Sequence, residues 1–496
     1  MITRMKALPH NLFCAAEVRK LDRLAIEQYH IPGETLMQRA GEAAFNALLA
    51  HWPGARRITV VCGIGNNAGD GYVVARLAAE AGLQVVVQQL GDVSRLKGDA
   101  LRAQQKLKDT NLESVPFDID GLSDCDVIID AMLGTGLDRP VAGDFSQAID
   151  AVNYSGLDVL ALDIPSGLHA DTGQVLGNAV HAQLTVTYIG IKQGMLTAAG
   201  PDCCGEILLD ELGIPSQVFE HCEAHVSRID YASLKYYLDV RERASHKGSF
   251  GHVLVIGGDQ GMLGAVTMAA LAAARSGSGL VSIATRADHA AMISAVHPEI
   301  MAHAVEDEAA LKKLMRKASV VAIGPGLGRS DWSLRMFALA LEFAGPLVVD
   351  ADALNLLAQE PAKNANWVLT PHPAEAARLL GVETAAIQQD RFAMLRQIQQ
   401  RYGGVCVLKG VGTLLSDKCG DISLCNEGNP GMASAGMGDV LTGVIAGLLA
   451  QHHELFLAAQ LGVCLHAHAG DIVAKEGERG LMATDLLWPL RELVNP

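Results

Sequence analysis

The chain has 496 residues, half of them hydrophobic, so it can bury large cores and we expect at least two domains. Its 39 lysines and arginines are outnumbered by 55 aspartates and glutamates, and the net charge of -16 disfavours non-specific binding to nucleic acid or acidic membranes. The first twenty residues lack an uninterrupted apolar core, and no later window supplies the ~18 apolar residues of a membrane span, so we expect a soluble, cytoplasmic protein.

The first half of the chain contains five short runs rich in β-branched residues, with amphipathic segments between several of them. The runs cover 58–63, 83–90, 126–130, 158–163 and 184–190. This alternation predicts a mainly parallel sheet covered by helices. From about 225 to 250 the chain is polar and charged, without a strand-like pattern. We therefore place a domain boundary near residue 228.

The second half repeats the alternation of strands and helices. Its runs cover 252–258, 280–285, 319–328, 346–354, 366–371 and 405–415. The expected fold class is α/β, with two doubly wound domains at 1–228 and 229–496. The ten cysteines have no C-x-x-C spacing, and Cys203 and Cys204 are adjacent, so they indicate neither a disulfide framework nor a zinc ribbon. We expect reduced cysteines in the cores.

Glycine-rich loops follow the strand runs, at the edge where open parallel sheets bind ligands. The loop GIGNNAGDG (63–71) leads from a strand into a helix, and its glycines let a ligand approach a helix N-terminus that favours anions. Gly63, Gly65 and Ala68 also fit the dinucleotide fingerprint G-x-G-x-x-A. The acid expected after the next strand is missing, since the first acid there is Asp92. An ordinary strand-helix turn and a cofactor site both remain open.

Two further loops bring polar residues to the same edge. DAMLGTGLDRPVAG (130–143) starts with an acid at a strand end, and DIPSGLHADTG (163–173) starts at the next strand end. Asn66, Asp130 and Ser166 together offer an amide oxygen, a carboxylate and a hydroxyl, which suit a monovalent cation or a water network better than a divalent ion. Helix capping by the serine and the aspartate is the alternative interpretation.

The stretch NEGNPGMASAGMGDVLTG (426–443) resembles a phosphate cradle but contains no lysine. A P-loop places a lysine after its last glycine, whereas Asp439 follows Gly438 here. Other polar groups are less informative. His221, Cys222 and His225 contain an i, i+4 pair that could bind a metal, but they lie beside the expected boundary and we do not favour a site there. His466 and His468 would point to different sides of a helix.

Several of these motifs resemble those of one known family. LMQRAG, GNNAGDG, LGTGL and DIPSG are similar to the N-terminal half of the YjeF-type nicotinamide nucleotide repair proteins. HKGSFGHVLVIGG, GPGLG, DADALN, LTPHPAEAARLL, LKGVGT and GMGDVLTG are similar to the C-terminal, ribokinase-like half of the same family. The resemblance covers nearly the whole chain, and both motif sets occur in the family's order. It implies a Rossmann-like domain followed by a ribokinase-like domain.

For the first domain, the resemblance implies an epimerase. Its substrates would be NADHX and NADPHX, in which water has added across the C5-C6 bond of the dihydronicotinamide ring, and it would interconvert their R and S forms at C6. Asn66, Asp130 and Ser166 would bind potassium. Asp163 would lie at the reacting ring, where a carboxylate can stabilise a cationic species or move a proton. Lys192 is a second candidate, with an exposed loop lysine as the alternative. The residues implied in dinucleotide binding are Gly65, Asn66, Asn67, Ala68, Gly69, Gly134, Thr135, Gly136, Leu137, Asp138, Arg139 and Pro140.

For the second domain, the resemblance implies a dehydratase that uses ADP with Mg²⁺ and releases AMP and phosphate. Asp439 would be the base that helps the C6 hydroxyl attack the terminal phosphate, after which phosphate leaves and the double bond returns. The backbone amides of 435–438, at the start of a helix beginning near Asp439, would form the anion hole. The residues implied in nucleotide binding are Lys409, Gly410, Val411, Gly412, Thr413 and Gly438. Ala265, Gly326 and His372 would line the hydrate pocket.

Other interpretations stay open at this point. The second domain resembles vitamin and sugar kinases, in which the same aspartate chemistry leaves a stable phosphate ester. The first domain could be a non-catalytic dinucleotide-binding module. An NAD-dependent dehydrogenase is disfavoured by the missing ribose-binding acid. The preference between ADP and ATP does not follow from these residues, and a homo-oligomer is expected from the resemblance alone.

Overall fold

The computed structural model describes residues 8–110 and 112–496, and the chain divides into two compact units at 1–226 and 227–496. The polar stretch 225–250, in which we expected no strand, contains strand β10 (Val226–Ile229). That part of the expectation is wrong. Val226 and Ile229 of this strand are buried, with the polar residues Ser227 and Arg228 between them. The four residues show no strand pattern by themselves, so their strand conformation depends on packing against other parts of the chain.

Unit 1 contains a seven-stranded sheet in which every neighbouring pair is parallel. Its strand order is β4-β3-β2-β5-β6-β7-β9. Counted from β2, this is the Rossmann order, with a switch point between β2 and β5. A further short pair, β1 with β8, is also parallel. The strands are β1 (Asn11–Phe13), β2 (Arg57–Cys62), β3 (Gln84–Gln89), β4 (Ser114–Pro116), β5 (Val127–Ala131), β6 (Asp158–Leu162), β7 (Leu184–Tyr188), β8 (Ile191–Lys192) and β9 (Glu206–Asp210).

Helices cover both faces of this sheet. Val60 and Ile129 belong to the core that also contains residues of the first four helices, whereas Val61 and Ile128 pack with α5 on the other face. Because successive side chains of a strand point to opposite faces, a strand buried on both faces is a continuous apolar run, as the sequence has here. The helices are α1 (Ala15–Glu27), α2 (Gly33–His51), α3 (Asn66–Glu80), α4 (Gly98–Lys108), α5 (Asp144–Tyr154), α6 (Gly200–Cys204) and α7 (Ser216–Phe219).

Unit 2 contains a second, larger sheet. Its order is β13-β12-β11-β14-β15-β16-β17-β18-β19-β10, parallel from β13 to β17 and antiparallel from β17 through β19. The single run expected at 405–415 is therefore a hairpin that turns at Gly410, where φ is 135°. The strands after β10 are β11 (His252–Ile256), β12 (Leu280–Thr285), β13 (Met301–Ala304), β14 (Val320–Ile323), β15 (Leu347–Val349), β16 (Trp367–Leu369), β17 (Val405–Leu408), β18 (Thr413–Ser416) and β19 (Ile422–Cys425).

The helices of unit 2 pack closely on one another. Gly443 shows how closely, since a Cβ at this position would lie 2.0 Å from the carbonyl oxygen of Ala269 on the neighbouring helix. The helices are α8 (Tyr231–Leu234), α9 (Leu263–Arg275), α10 (Ala287–Val296), α11 (Glu308–Met315), α12 (Asp331–Ala340), α13 (Ala351–Gln359), α14 (Pro373–Leu380), α15 (Thr384–Gln389), α16 (Arg391–Tyr402), α17 (Met437–Ala450), α18 (Leu455–Ala474) and α19 (Leu487–Leu493).

Helix α18 corrects one expectation from the sequence. It is long and apolar enough to cross a membrane by length and hydropathy, whereas no such window was expected. In the structure 61% of its apolar window is buried inside the protein. A helix that is buried on most of its sides is apolar for the same reason as a membrane span, so composition alone does not separate the two. We interpret α18 as a core helix of unit 2.

The cysteines agree with the sequence analysis. All ten are free, and only Cys14 and Cys419 are not buried. The Sγ atoms of Cys425 and Cys464 lie 3.7 Å apart and are not bonded. Eight of the ten cysteines are buried, as expected, whereas Cys14 and Cys419 are not.

Two candidate active sites

The first candidate site is a cavity of about 550 Å³ at the carboxyl edge of the sheet in unit 1. It lies after β2 and β5, at the switch point where sheets of this kind bind ligands. Most of the residues that we expected to hold a dinucleotide line it. These are Gly65, Asn66, Asn67, Gly134, Thr135, Gly136, Leu137, Asp138 and Arg139.

Three of the expected dinucleotide residues, Ala68, Gly69 and Pro140, do not line this cavity. Ala68 and Gly69 are buried in helix α3. A Cβ at Gly69 would lie 2.5 Å from Sδ of Met37 on α2 and 2.9 Å from Cα of Ala100 on α4. The absence of a side chain at Gly69 therefore serves the packing of three helices. The motif spacing alone could not separate this role from ligand binding.

The N-terminus of α3 opens towards the cavity. Its N-cap residue is Gly65, which offers no capping side chain, so the first backbone N-H groups remain available to an anion. Two cations line the same cavity, Arg19 and Arg139. Arg19 Nη1 donates a hydrogen bond to the carbonyl oxygen of Thr135 at 3.4 Å. This side of the cavity suits the phosphates of a dinucleotide.

Asp163, which lines this cavity, forms an ion pair with Lys192. Lys192 is fully buried rather than an exposed loop lysine, and its Nζ donates to Asp163 Oδ1, to Thr187 Oγ1 at 2.8 Å and to the Tyr188 carbonyl at 3.1 Å. Asp163 has a φ of 65°, which costs a residue with a side chain on the order of 1 kcal/mol. Its N-H bond to the Val186 carbonyl, at 2.7 Å, holds this conformation. The carboxylate is thereby fixed at the cavity wall.

The structure brings together two of the three expected potassium ligands. Asp130 Oδ1 accepts from Ser166 Oγ at 2.6 Å, and Asp130 Oδ2 accepts from Ser166 N at 2.8 Å. Asp130 is fully buried, and burial, partly offset by these hydrogen bonds, raises its pKa to about 6. The Asn66 side chain is exposed, whereas Oδ1 of the neighbouring Asn67 is buried and has no partner within the described residues. One carboxylate among neutral oxygens fits a monovalent cation.

Three residues of this cavity were missed by the sequence analysis. Asp22, Asp70 and Tyr188 all line it. Burial, together with the carboxylates of Asp163 and Asp22, raises the pKa of Asp70 well above its usual range. A signal for Asp70 was present, because it lies four residues after Asn66 in GNNAGDG, and residues four apart share one face of a helix. Asp22 lies in a helix far from every motif, and nothing in the sequence singles it out.

The second candidate site lies at the carboxyl ends of β15, β16 and β17 in unit 2. Asp350, directly after β15, accepts a hydrogen bond from Lys409 Nζ at 2.8 Å. Its second oxygen accepts from Thr442 Oγ1 of α17, also at 2.8 Å. Burial opposes the charge of Lys409, but Asp350 and Glu375 outweigh it and raise the lysine's pKa. Asp350 thus joins the Lys409 loop to α17, a role that the sequence analysis did not assign.

Asp439 lies in the first turn of α17, which begins at Met437, close to the expected start. Burial and then the charge of Asp350 raise the pKa of Asp439 to about 7, against the opposing effect of Lys409. Gly438 stands beside the same groups, since a Cβ there would lie 3.2 Å from Lys409 Nζ. The structure therefore brings together Asp439, Gly438 and Lys409, as the sequence analysis expected.

A buried arginine donates hydrogen bonds to backbone carbonyls in and next to the loop 409–413. Arg391 donates to the carbonyl of Leu408 at 3.3 Å and to that of Gly412 at 3.2 Å. Only 1% of Arg391 is exposed, and burial lowers its pKa to about 10. Sequence reasoning missed this residue, because one arginine in an amphipathic helix carries no sign of its contacts.

The residues expected to line the hydrate pocket lie in two places. A Cβ on Gly326 would lie 3.2 Å from the Cβ of Ala265, so these two are neighbours. His372 caps helix α14, with Nδ1 accepting from Ala374 N at 3.1 Å and Glu375 N at 3.4 Å. Burial and Lys409 lower the pKa of His372. The ring is a helix cap as well as a candidate ligand contact.

Comparison with known proteins identifies the family. The bifunctional NAD(P)H-hydrate repair enzyme Nnr of Coxiella burnetii is 50% identical over 486 residues, which cover 98% of this chain and 99% of the relative. The chain belongs to the bifunctional NAD(P)H-hydrate repair enzymes. Another such enzyme, from Escherichia coli, is 41% identical over 99% of this chain and 95% of its own length. The family resemblance inferred from the motifs is confirmed.

Family profiles divide this repair enzyme in the same way. The profile described as YjeF-related protein N-terminus matches residues 33–194, and that described as NAD(P)H-hydrate dehydratase matches residues 253–490. A solved ribokinase-like superfamily protein from Enterococcus faecalis is 29% identical, covers 55% of this chain and 96% of its own, and has a TM-score of 0.52. The α/β fold class expected from the sequence is confirmed.

Proposed function

We propose that the protein repairs hydrated NADH and NADPH in two steps. Unit 1 interconverts the R and S forms at C6, and unit 2 dehydrates the S form with ADP, releasing AMP and phosphate. The observation that carries the proposal is the presence in one chain of two separate sites, each with a carboxyl group at the carboxyl edge of its own sheet. Membership of the repair family favours this function over a small-molecule kinase with a non-catalytic binding module.

In unit 1, the N-terminus of α3 and the loop 134–140 would hold the dinucleotide, with Asp163 at the nicotinamide ring. Inversion at C6 passes through a species with positive charge at the ring nitrogen, and a fixed carboxylate lowers the energy of that charge. The pairing of Asp163 with buried Lys192 keeps the carboxylate in place. Asp130, Ser166 and Asn66 would hold potassium, which would supply a positive charge to the site.

In unit 2, the loop 409–413 and the amide of Gly438 would hold the nucleotide, and Asp439 would take the proton of the C6 hydroxyl. A pKa of about 7 suits a base that works near neutral pH. Mg²⁺ would arrive with the nucleotide and neutralise its phosphates. The carboxyl groups gathered near Lys409, those of Asp350, Glu375 and Asp439, are oxygen donors of the kind that this ion takes.

The purified protein, given a mixture of R and S hydrated NADH with Mg²⁺ and either ADP or ATP, tests the proposal. Complete return of the reduced-nicotinamide absorbance with release of phosphate supports both activities and identifies the phosphate donor. Recovery that stops when the S form is exhausted contradicts the epimerase. A stable phosphate ester without recovery supports the kinase instead.

We extend the proposal to the state of the protein in the cell. We expect a cytoplasmic homo-oligomer without nucleic-acid or membrane partners. The negative net charge supports the last point, because it repels acidic surfaces. Light scattering at working concentration checks the assembly, and a monomer there contradicts it.

A further inference from the structure

Asp70 is a carboxyl group of the unit 1 cavity with no fixed partner. It lies on α3, and it lines the cavity together with Asp163. Asp163 is paired with Lys192, whereas the side chain of Asp70 makes no hydrogen bond to any residue in 8–110 or 112–496. Two carboxyl groups therefore face one cavity in different surroundings, one held by a cation and one free to contact a ligand.

The charges around Asp70 favour its protonated form. Burial and the carboxylates of Asp163 and Asp22 raise its pKa well above the usual range, and Lys192 opposes them only in part. The cavity thus contains one carboxyl group with a raised pKa and another that is paired with a lysine, and two carboxyl groups in such different surroundings are typical of an acid and its partner in catalysis. The other charged or titratable groups that face the cavity are Arg19, Asp99, Asp138, Arg139 and Tyr188.

Tyr188 gives a second, independent sign that a ligand belongs here. It lines the cavity at the end of β7 and is 5% exposed, and its hydroxyl has no partner in the described part of the chain. A buried hydroxyl without a hydrogen bond is unfavourable, so it is expected where a ligand supplies the missing partner. The unpartnered amide oxygen of Asn67 lines the same cavity.

We propose that Asp70 is the general acid of the C6 epimerisation in unit 1, an inference that rests on the proposed function. Asp70 gives its proton to the C6 hydroxyl, the C6-O bond breaks, and the oxygen leaves as water. The lone pair of the ring nitrogen forms a C=N bond to C6, which becomes planar and cationic next to the Asp163 carboxylate. Water then adds from the other face, and the proton that it releases restores Asp70. No oxidant or further reactant is needed.

Asp70→Asn in the full chain tests the assignment. We expect the kcat of epimerisation, measured by separating the R and S forms, to fall about 10²- to 10⁴-fold, with KM changed less than about 3-fold. Dehydration of the S form by unit 2 serves as the control in the same sample. In H₂¹⁸O, the wild-type protein is expected to place ¹⁸O at C6 with every inversion, whereas retention of the original oxygen overturns the proposed bond cleavage.

The pH profile separates an acid from a structural residue. The wild-type rate should fall as the pH rises through the pKa of Asp70, because only the protonated form donates. Asp22→Asn removes one of the charges that raise this pKa, so the falling limb should move to lower pH. The inference is overturned if the high-pH fall of the rate stays at the same pH in Asp22→Asn, or if the kcat of Asp70→Asn falls less than tenfold. A wild-type protein that does not interconvert R and S contradicts the proposed function instead.

Discussion

Replacing Asp439 by asparagine is expected to abolish dehydration and also to stabilise unit 2 at neutral pH. Burial, followed by the charge of Asp350, raises the pKa of Asp439 from 3.8 to about 7 in the folded protein. The unfolded chain ionises this group near its usual pKa. The protonated carboxyl therefore contributes stability that is fully present below pH 3.8 and is lost as the pH rises through about 7. An asparagine has no charge to bury at any pH.

The pKa difference sets the size of the effect. The difference between the folded and unfolded pKa of Asp439 lowers the free energy of unfolding by about 4 kcal/mol at pH 8, relative to an uncharged side chain. The same linkage gives a loss of about 3 kcal/mol at pH 6 and about 2 kcal/mol at pH 5. A carboxylate in the first turn of a helix gains only about 0.3–1 kcal/mol from the helix dipole. The burial effect is larger, so Asp439→Asn should be the more stable protein, and increasingly so at higher pH.

Urea unfolding followed by tryptophan fluorescence measures this difference, because three of the four tryptophans, Trp332, Trp367 and Trp488, are in unit 2. The control is Asp331→Asn, an exposed acid in the first turn of α12, for which we expect a change below about 1 kcal/mol. An Asp439→Asn protein that is no more stable than the wild type at pH 8, or equally changed at pH 5 and pH 8, refutes the reasoning.

Three further predictions concern the two sites and their supports. Asp163→Asn should abolish interconversion of R and S while dinucleotide binding and dehydration of the S form stay intact, and unchanged epimerisation removes Asp163 from the mechanism. Arg391→Met should raise the KM for the nucleotide at least about 10-fold, because it leaves the carbonyls of Leu408 and Gly412 without their hydrogen-bond donor at a cost of about 1–3 kcal/mol each, and an unchanged KM contradicts this support. Gly69→Ala should destabilise unit 1 by about 1–3 kcal/mol in thermal unfolding, because its Cβ meets Met37 at 2.5 Å. Gly65→Ala is the matched control, since no atom lies within 4 Å of its added Cβ.

The strands that the sequence predicted well are the buried central ones. β2, β5, β6 and β7 overlap expected runs, because strands covered on both faces need continuous β-branched and apolar residues. The half-exposed β3 was predicted from its three consecutive valines. Among the missed strands, β1, β4 and β8 have only two or three residues, too few to show a period. The strands β9, β13 and β19 have four or five residues and were missed as well. The turn at Gly410 was missed as well, since apolar residues continue on both sides of it.

Site residues divide along similar lines. Asp439, Gly438 and Lys409 were found because they lie in glycine loops at strand ends, where sequence order and function coincide. Asp350 and Arg391 were missed because their importance lies in contacts across distant parts of the chain, such as the bond from Thr442 to Asp350. Gly69 was predicted to contact the dinucleotide, and only the structure shows that its missing side chain also leaves room for Met37.

The sequence by itself determined the alternation of strands and helices, the two α/β units and the glycine loops that open each site, since all three depend on residues close together in the chain. Only the tertiary structure decided the surroundings of the charged groups within those sites. Lys192 is buried and paired with Asp163. The charge of Asp22, which lies on another helix, raises the pKa of Asp70. Burial and the distance between charges set a pKa, and both arise only when remote segments meet.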